Sequence, residues 1–151
     1  MTVDLELQIA TNIKTLPHPS QFKKWVRVVF SNDLEELKNF TNLELTIRVV
    51  DKQEIIDLNT RYRHKNVPTN VLSFPGYIEE EFDYHVLGDI VVCATVIEEE
   101  AKQQNKELLA HWAHMVIHGI LHLLGYDHQN ILDANKMENL EVNLLNQIGF
   151  C

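Results

Sequence analysis

The sequence predicts an α+β domain, with one mixed β-sheet of about four strands packed with helices. Strand-like alternation dominates the first half of the chain and helical periodicity the second. No repeat, low-complexity tract or Gly/Ser linker interrupts the 151 residues, so residues 1–151 read as a single domain. A late strand with an apolar run points to a sheet covered on both faces. In order, Val3, Leu5, Leu7 and Ile9 alternate with Asp4, Glu6 and Gln8, the pattern of a half-buried strand. Ser20 caps a helix through FKKWVRVVF. LELTIRVV (43–50) alternates again and is the second strand. Asp51, with Glu54 three residues on, has the spacing of a capping box and opens a helix through IIDLNTRY. RHKNVPTN follows as a loop broken by Pro68 and its asparagines. VLSF (71–74) is a short strand stopped by Pro75 and Gly76, and LGDIVVC (87–93) a strand buried on both faces. Ala94 to Asn105 is a charged helix. A second helix from Lys106 to Leu124 stops at Gly125, a residue that accepts the left-handed turn ending many helices. The last helix, Leu132 to Gln147, sets Leu140, Leu144 and Ile148 on one side.

A content of 45% hydrophobic and 23% charged residues is that of an ordinary globular protein. No run of about 18 apolar residues is present, which excludes a spanning helix. MTVDLELQIA lacks the basic and apolar regions of a secretory signal. Cys93 and the terminal Cys151 are too few for a disulfide framework, so a cytoplasmic setting without membrane contact is expected. The net charge of −9 argues against an extended nucleic-acid-binding face. Its distribution leaves room for a local phosphate site. Residues 79–100 carry eight acids and no lysine or arginine, and EEEFDYH (79–85) reads as a solvated loop. Arg61, Arg63 and Lys65, by contrast, crowd into five positions.

The chemistry concentrates in HGILHLLGYDH, residues 118–128. At about 100° per residue, His111, His114, His118 and His122 fall on one helical stripe about 80° wide. His118 and His122, at i and i+4, present their rings to the same point, as two ligands of one metal ion do. Gly125 ends the helix and lets His128 swing back as the third ligand. Three nitrogen ligands leave a tetrahedral zinc ion with an open position, the arrangement of catalytic rather than structural sites. A zincin-like three-histidine site on a long helix, holding one Zn2+ per chain, is the expectation. His111 and His114 lie upstream and are explained by packing or by hydrogen bonds around the site. Asp127 is either a carboxylate orienting a ligand histidine or a turn residue.

The spacing matches the protease motif H-E-x-x-H-x-x-G-x-x-H except that Gly119 replaces its glutamate. That glutamate moves the proton to a poor leaving amine, so peptide hydrolysis loses its general base. Phosphodiester cleavage depends more on positive charge, from a metal and a guanidinium, which directs attention to the basic loop. Together HGILHLLGYDH, YRHKNVPTNVLSFP and LGDIVVC resemble the bacterial YbeY family of metal-dependent endoribonucleases, with a match from about Leu43 to the last helix. The resemblance implies zinc on His118, His122 and His128, cleavage of single-stranded RNA, and partners in ribosomal RNA and the small ribosomal subunit. It also implies a role in maturing the 3′ end of that RNA and in ribosome quality control. It places the family's important arginine at Arg63, so Arg63 and His118 are the residues expected to carry catalysis. His64 stands where the family has a frequent glycine and Asn66 where it has a frequent aspartate. An ion pair with Asp57 is the structural alternative for Arg63, and solvated charge is the reading for Arg61 and Lys65. A peptidase-like metal hydrolase and a non-catalytic ribosome-assembly factor with structural zinc are the rival functions.

Overall fold

A computed structural model describes residues 2–38, 40–79 and 84–150. The elements run β1 (Thr2–Ala10), α1 (Pro19–Phe30), a 3-10 turn (Glu35–Leu37), β2 (Asn42–Val50), α2 (Lys52–Arg63), β3 (Val71–Glu79), β4 (Tyr84–Cys93), α3 (Ala94–Gln103), α4 (Leu108–Leu123) and α5 (Ile131–Gln147). The four strands form one mixed sheet in the order β1-β2-β4-β3. β1, β2 and β4 run parallel, and β3 folds back antiparallel on β4.

Strand alternation divides the core. Leu45, Ile47 and Val49 of β2 and Ile90 and Val92 of β4 face the main core with α1, α3 and α4, which Phe22, Trp25 and Trp112 fill with edge-to-face ring contacts. Val50, Val91, Cys93 and Leu72 point the other way, where Ile55 of α2 covers them. The apolar run of β4 is thus buried on both faces, as its sequence implies. Cys93 is a free thiol in this second cluster, and Cys151 lies outside the described residues. Among the described residues no helix is long and apolar enough to cross a membrane.

Local signals err at three places, once for a local reason and twice for a nonlocal one. The cap of α1 is His18, not Ser20: its Nδ1 accepts from the Ser20 amide at 3.1 Å, and Pro19 takes the first helical position that its fixed φ suits. Asp51 does cap α2, but no capping box forms. Its carboxylate accepts from the Thr11 hydroxyl, and Glu54 pairs with Arg48 on the neighbouring strand at 2.6 Å. β3 does not stop at Pro75 and Gly76 but continues to Glu79, opposite Tyr84. It is an edge strand, where proline's missing N–H is tolerated. Gly76 lies so close to β4 that a Cβ would meet the Val86 carbonyl. Glu79, Tyr84 and His85 of the acidic segment therefore belong to paired strands. Residues 80–83 lie outside the described residues.

Candidate metal centre

α4 is apolar nearly all round because it runs through the middle of the molecule, against the sheet, α1, α3 and α5. Its histidines form the exception, a polar stripe along one side. The helix ends in a Schellman motif: the Gly125 amide bonds to the His122 carbonyl and the Tyr126 amide to the Leu121 carbonyl. Gly125 sits at φ +100°, a conformation that side-chain-bearing residues rarely adopt. The turn returns His128 to the helix. Its ring stacks on that of His118 with centroids 5.6 Å apart, and lies 5.1 Å from that of His122. One ligand atom from each of His118, His122 and His128 lies within 4.8 Å of the others.

The donor set fits a divalent ion. His118 Nε2 and His122 Nε2 are 3.1 Å apart, close to the separation of about 3.3 Å between two nitrogens bound to one tetrahedral zinc. Burial, and then the nearness of His118 and His128, pull the His122 pKa down and favour the neutral imidazole that can act as a ligand. The group could hold a metal ion; its geometry does not name which.

Glu141 of α5 explains how His118 is aimed. Its two oxygens take different partners, Oε1 the Nδ1 of His118 at 2.8 Å and Oε2 the Nε2 of His114 at 2.6 Å. The residue is 4% exposed. Burial pushes its carboxyl up, but the two histidine hydrogen bonds outweigh this and hold it at about 2. An ionised Glu141 accepts the Nδ1 proton of His118, which leaves the Nε2 lone pair facing the triad. His114 is thus a hydrogen-bonding partner around the site. His111 bonds instead to Glu100 at 2.9 Å, and Glu100 also receives the Asn70 amide. Asp127 accepts the His128 amide through its carboxylate within the turn, and the carboxylate that hydrogen-bonds a histidine of the triad is Glu141.

Gly119 has a packing reason. A Cβ there would lie 3.0 Å from Ile90 Cγ2 and 3.2 Å from Val71 Cγ2, so α4 rests directly on β3 and β4 at this point. The Ser73 hydroxyl donates to the Gly119 carbonyl at 3.0 Å and fixes the approach. The room that a protease motif gives its glutamate is filled here by the sheet.

Arg63 ends α2. The following residue, His64, takes the left-handed conformation at φ +58°, and the Lys65 amide returns to the Asn59 carbonyl. A glycine there would adopt this turn freely, while histidine carries its cost. Buried Asn59 donates to the Val67 carbonyl at 2.9 Å and holds the loop against the helix. Arg63 then lines one cavity of about 660 Å3 with His118, His122 and His128. Among the described residues it makes no ion pair, and Asp57 bonds to Gln53 instead. Arg61 and Lys65 are exposed and do not line this cavity.

The profile of the family described as Endoribonuclease YbeY matches residues 8–149. The chain belongs to the YbeY endoribonuclease family. The solution structure of TM1509 from Thermotoga maritima is similar in fold, with a TM-score of 0.61 and 27% identity over 95% of this chain and 89% of that one. Within the YbeY frame, the histidine and arginine segments picked out by sequence meet across α2, β3 and α4. The sequence reading missed Glu141, Asn59 and Asn70. Glu141 left a signal: with Met137 and Leu144 it forms the buried stripe of α5, where an acid demands a partner. Asn59 and Asn70 left none, because loop-tying amides are common in any sequence.

Proposed function

We infer that the protein is a metal-dependent endoribonuclease that cleaves single-stranded RNA, with zinc held by His118, His122 and His128. The observation that carries this reading is the single cavity shared by the triad and Arg63. A divalent ion held by the three histidines would supply Lewis-acid charge to a phosphodiester. Glu141 keeps the Nδ1 proton on His118 and so keeps its other nitrogen available. Arg63, unpaired among the described residues, neutralises negative charge growing on the phosphoryl oxygens. Gly119 leaves no general base on α4, which favours a phosphodiester over a peptide. The segments shared with the family further support a role in 3′-end maturation of small-subunit ribosomal RNA and in ribosome quality control. They also support ribosomal RNA and the small subunit as partners in the cytoplasm.

The test is cleavage of an end-labelled single-stranded RNA by zinc-loaded protein, beside His118→Ala and Arg63→Ala. His118→Ala and chelation are expected to abolish cleavage. Arg63→Ala should lower it about a hundredfold or more while zinc content, measured by mass spectrometry, stays at one ion per chain. Cleavage that persists in folded His118→Ala overturns the assignment of the triad.

A further inference from the structure

Tyr62 is 57% exposed, directly precedes Arg63 at the end of α2, and lines the cavity of the histidine triad. Its ring meets that of Phe74 edge-on, with centroids 5.1 Å apart and planes at 66°. Phe74 is half-buried against the second apolar cluster, so a fixed ring braces a largely open one. Among the described residues the Tyr62 side chain makes no hydrogen bond. The other exposed large apolar groups, among them Ile131, Leu132 and Val142, do not line this cavity.

We propose that Tyr62 is a base-stacking platform that sets single-strand specificity. The proposal rests on the ribonuclease reading and assigns to it the residue that contacts the nucleobase. Successive helical side chains diverge by about 100°, so Arg63 and Tyr62 can address different parts of one nucleotide, phosphate and base. An aromatic face accepts any base, which gives affinity without sequence preference. A base inside a duplex is already stacked on both sides and cannot offer that face unless it is pulled out. Charge sets the direction of the strand. Tyr62 and Phe74 also border a second groove over the open face of the sheet, where Glu54 takes up the charge of Arg48 and Glu6 and Asp89 remain to repel phosphates. Tyr62 therefore stands at the boundary, with its base against the ring and the backbone kept on the side of Arg63 and the histidines.

The experiment uses zinc-loaded full-length protein and a fluorescein-labelled single-stranded RNA. Anisotropy reads binding and gel analysis reads cleavage. The proteins are wild type, Tyr62→Ala, Tyr62→Leu and Tyr62→Phe. Tyr62→Leu still covers Phe74 but cannot stack, so it separates platform from packing. The expected result is a loss of about tenfold in affinity and in kcat/KM for Tyr62→Ala and Tyr62→Leu, with recovery in Tyr62→Phe. Binding to a duplex of the same sequence should be unchanged by all three. A single abasic nucleotide near the scissile bond should cost the wild type the same factor and cost Tyr62→Ala nothing further. Full activity in Tyr62→Leu, or equal abasic losses in both proteins, overturns the platform. A wild type that binds RNA through Tyr62 but does not cleave it overturns the ribonuclease reading and leaves the platform standing. A wild type that neither binds nor cleaves RNA overturns both.

Discussion

Glu141 is the residue through which the last helix reaches the histidine triad. Each of its oxygens serves one histidine of α4, and only His118 belongs to the triad. A positioning role predicts that Glu141→Gln, which cannot serve as an ionised double acceptor, weakens zinc binding by about tenfold to a hundredfold. Competition with a chromophoric chelator measures this directly, and circular dichroism should show the helices intact. Unchanged zinc affinity would reduce Glu141 to a tie between α4 and α5. The sequence pointed to His118 and His122 because their relation is one helical turn. It could mark Glu141 as an acid on a buried helical stripe but not name its partner, which lies 23 residues away and meets it only through packing of two helices.

At the scale of the element, α4 is a helix whose surface is decided by its neighbours. Gly119 lies where the helix rests tightly on Ile90 and Val71, so Gly119→Glu, which restores the protease spacing, should not restore a protease. The substitution drives a charged side chain into the sheet and is expected to cost about 3 kcal/mol or more in chemical denaturation. No peptidase activity should appear. The turn after α4 has its own anchor in Tyr126, whose hydroxyl donates to Glu36 at 3.0 Å. Burial and then this bond raise the Tyr126 pKa to about 12, above its ordinary value. A raised folded pKa means stabilisation that is complete below about pH 10 and lost as pH rises toward 12. The melting temperature should therefore fall more steeply over that window in the wild type than in Tyr126→Phe, as thermal scans at fixed ionic strength would show. Periodicity located α4 to within a few residues because its signal is local. It placed the end of β3 too early, since an edge position and a close glycine, both tertiary facts, let the strand continue through Pro75.

For the whole molecule, the site is carried by a core that does not depend on it. Trp112, Val116, Ile117, Ile120 and Leu121 bury α4 against the sheet and its neighbouring helices, away from the histidine stripe. Removing metal should loosen the loop that carries His128 without unfolding the domain. Zinc at a hundred times its Kd should add about 2.7 kcal/mol to stability, which a chelator removes. The melting temperature then drops while far-ultraviolet circular dichroism at 25 °C stays the same. Loss of the helical signal on chelation would mark the zinc as structural, as in domains that fold only around their metal.

The sequence by itself determined the α+β class, the main helices and strands, the three histidines and the arginine to weigh with them. The class, the elements and the histidines are encoded in periods of two and 3.6 residues and in short spacings, which the backbone converts directly into faces and ligand geometry, whereas Arg63 was singled out by the resemblance to the family. Tertiary structure alone decided the strand order, the carboxylate behind His118, the reason for Gly119, and the meeting of Arg63 with the triad in one cavity. Those facts depend on which distant surfaces pack together, and burial energy is set by the sum of such contacts rather than by any one segment.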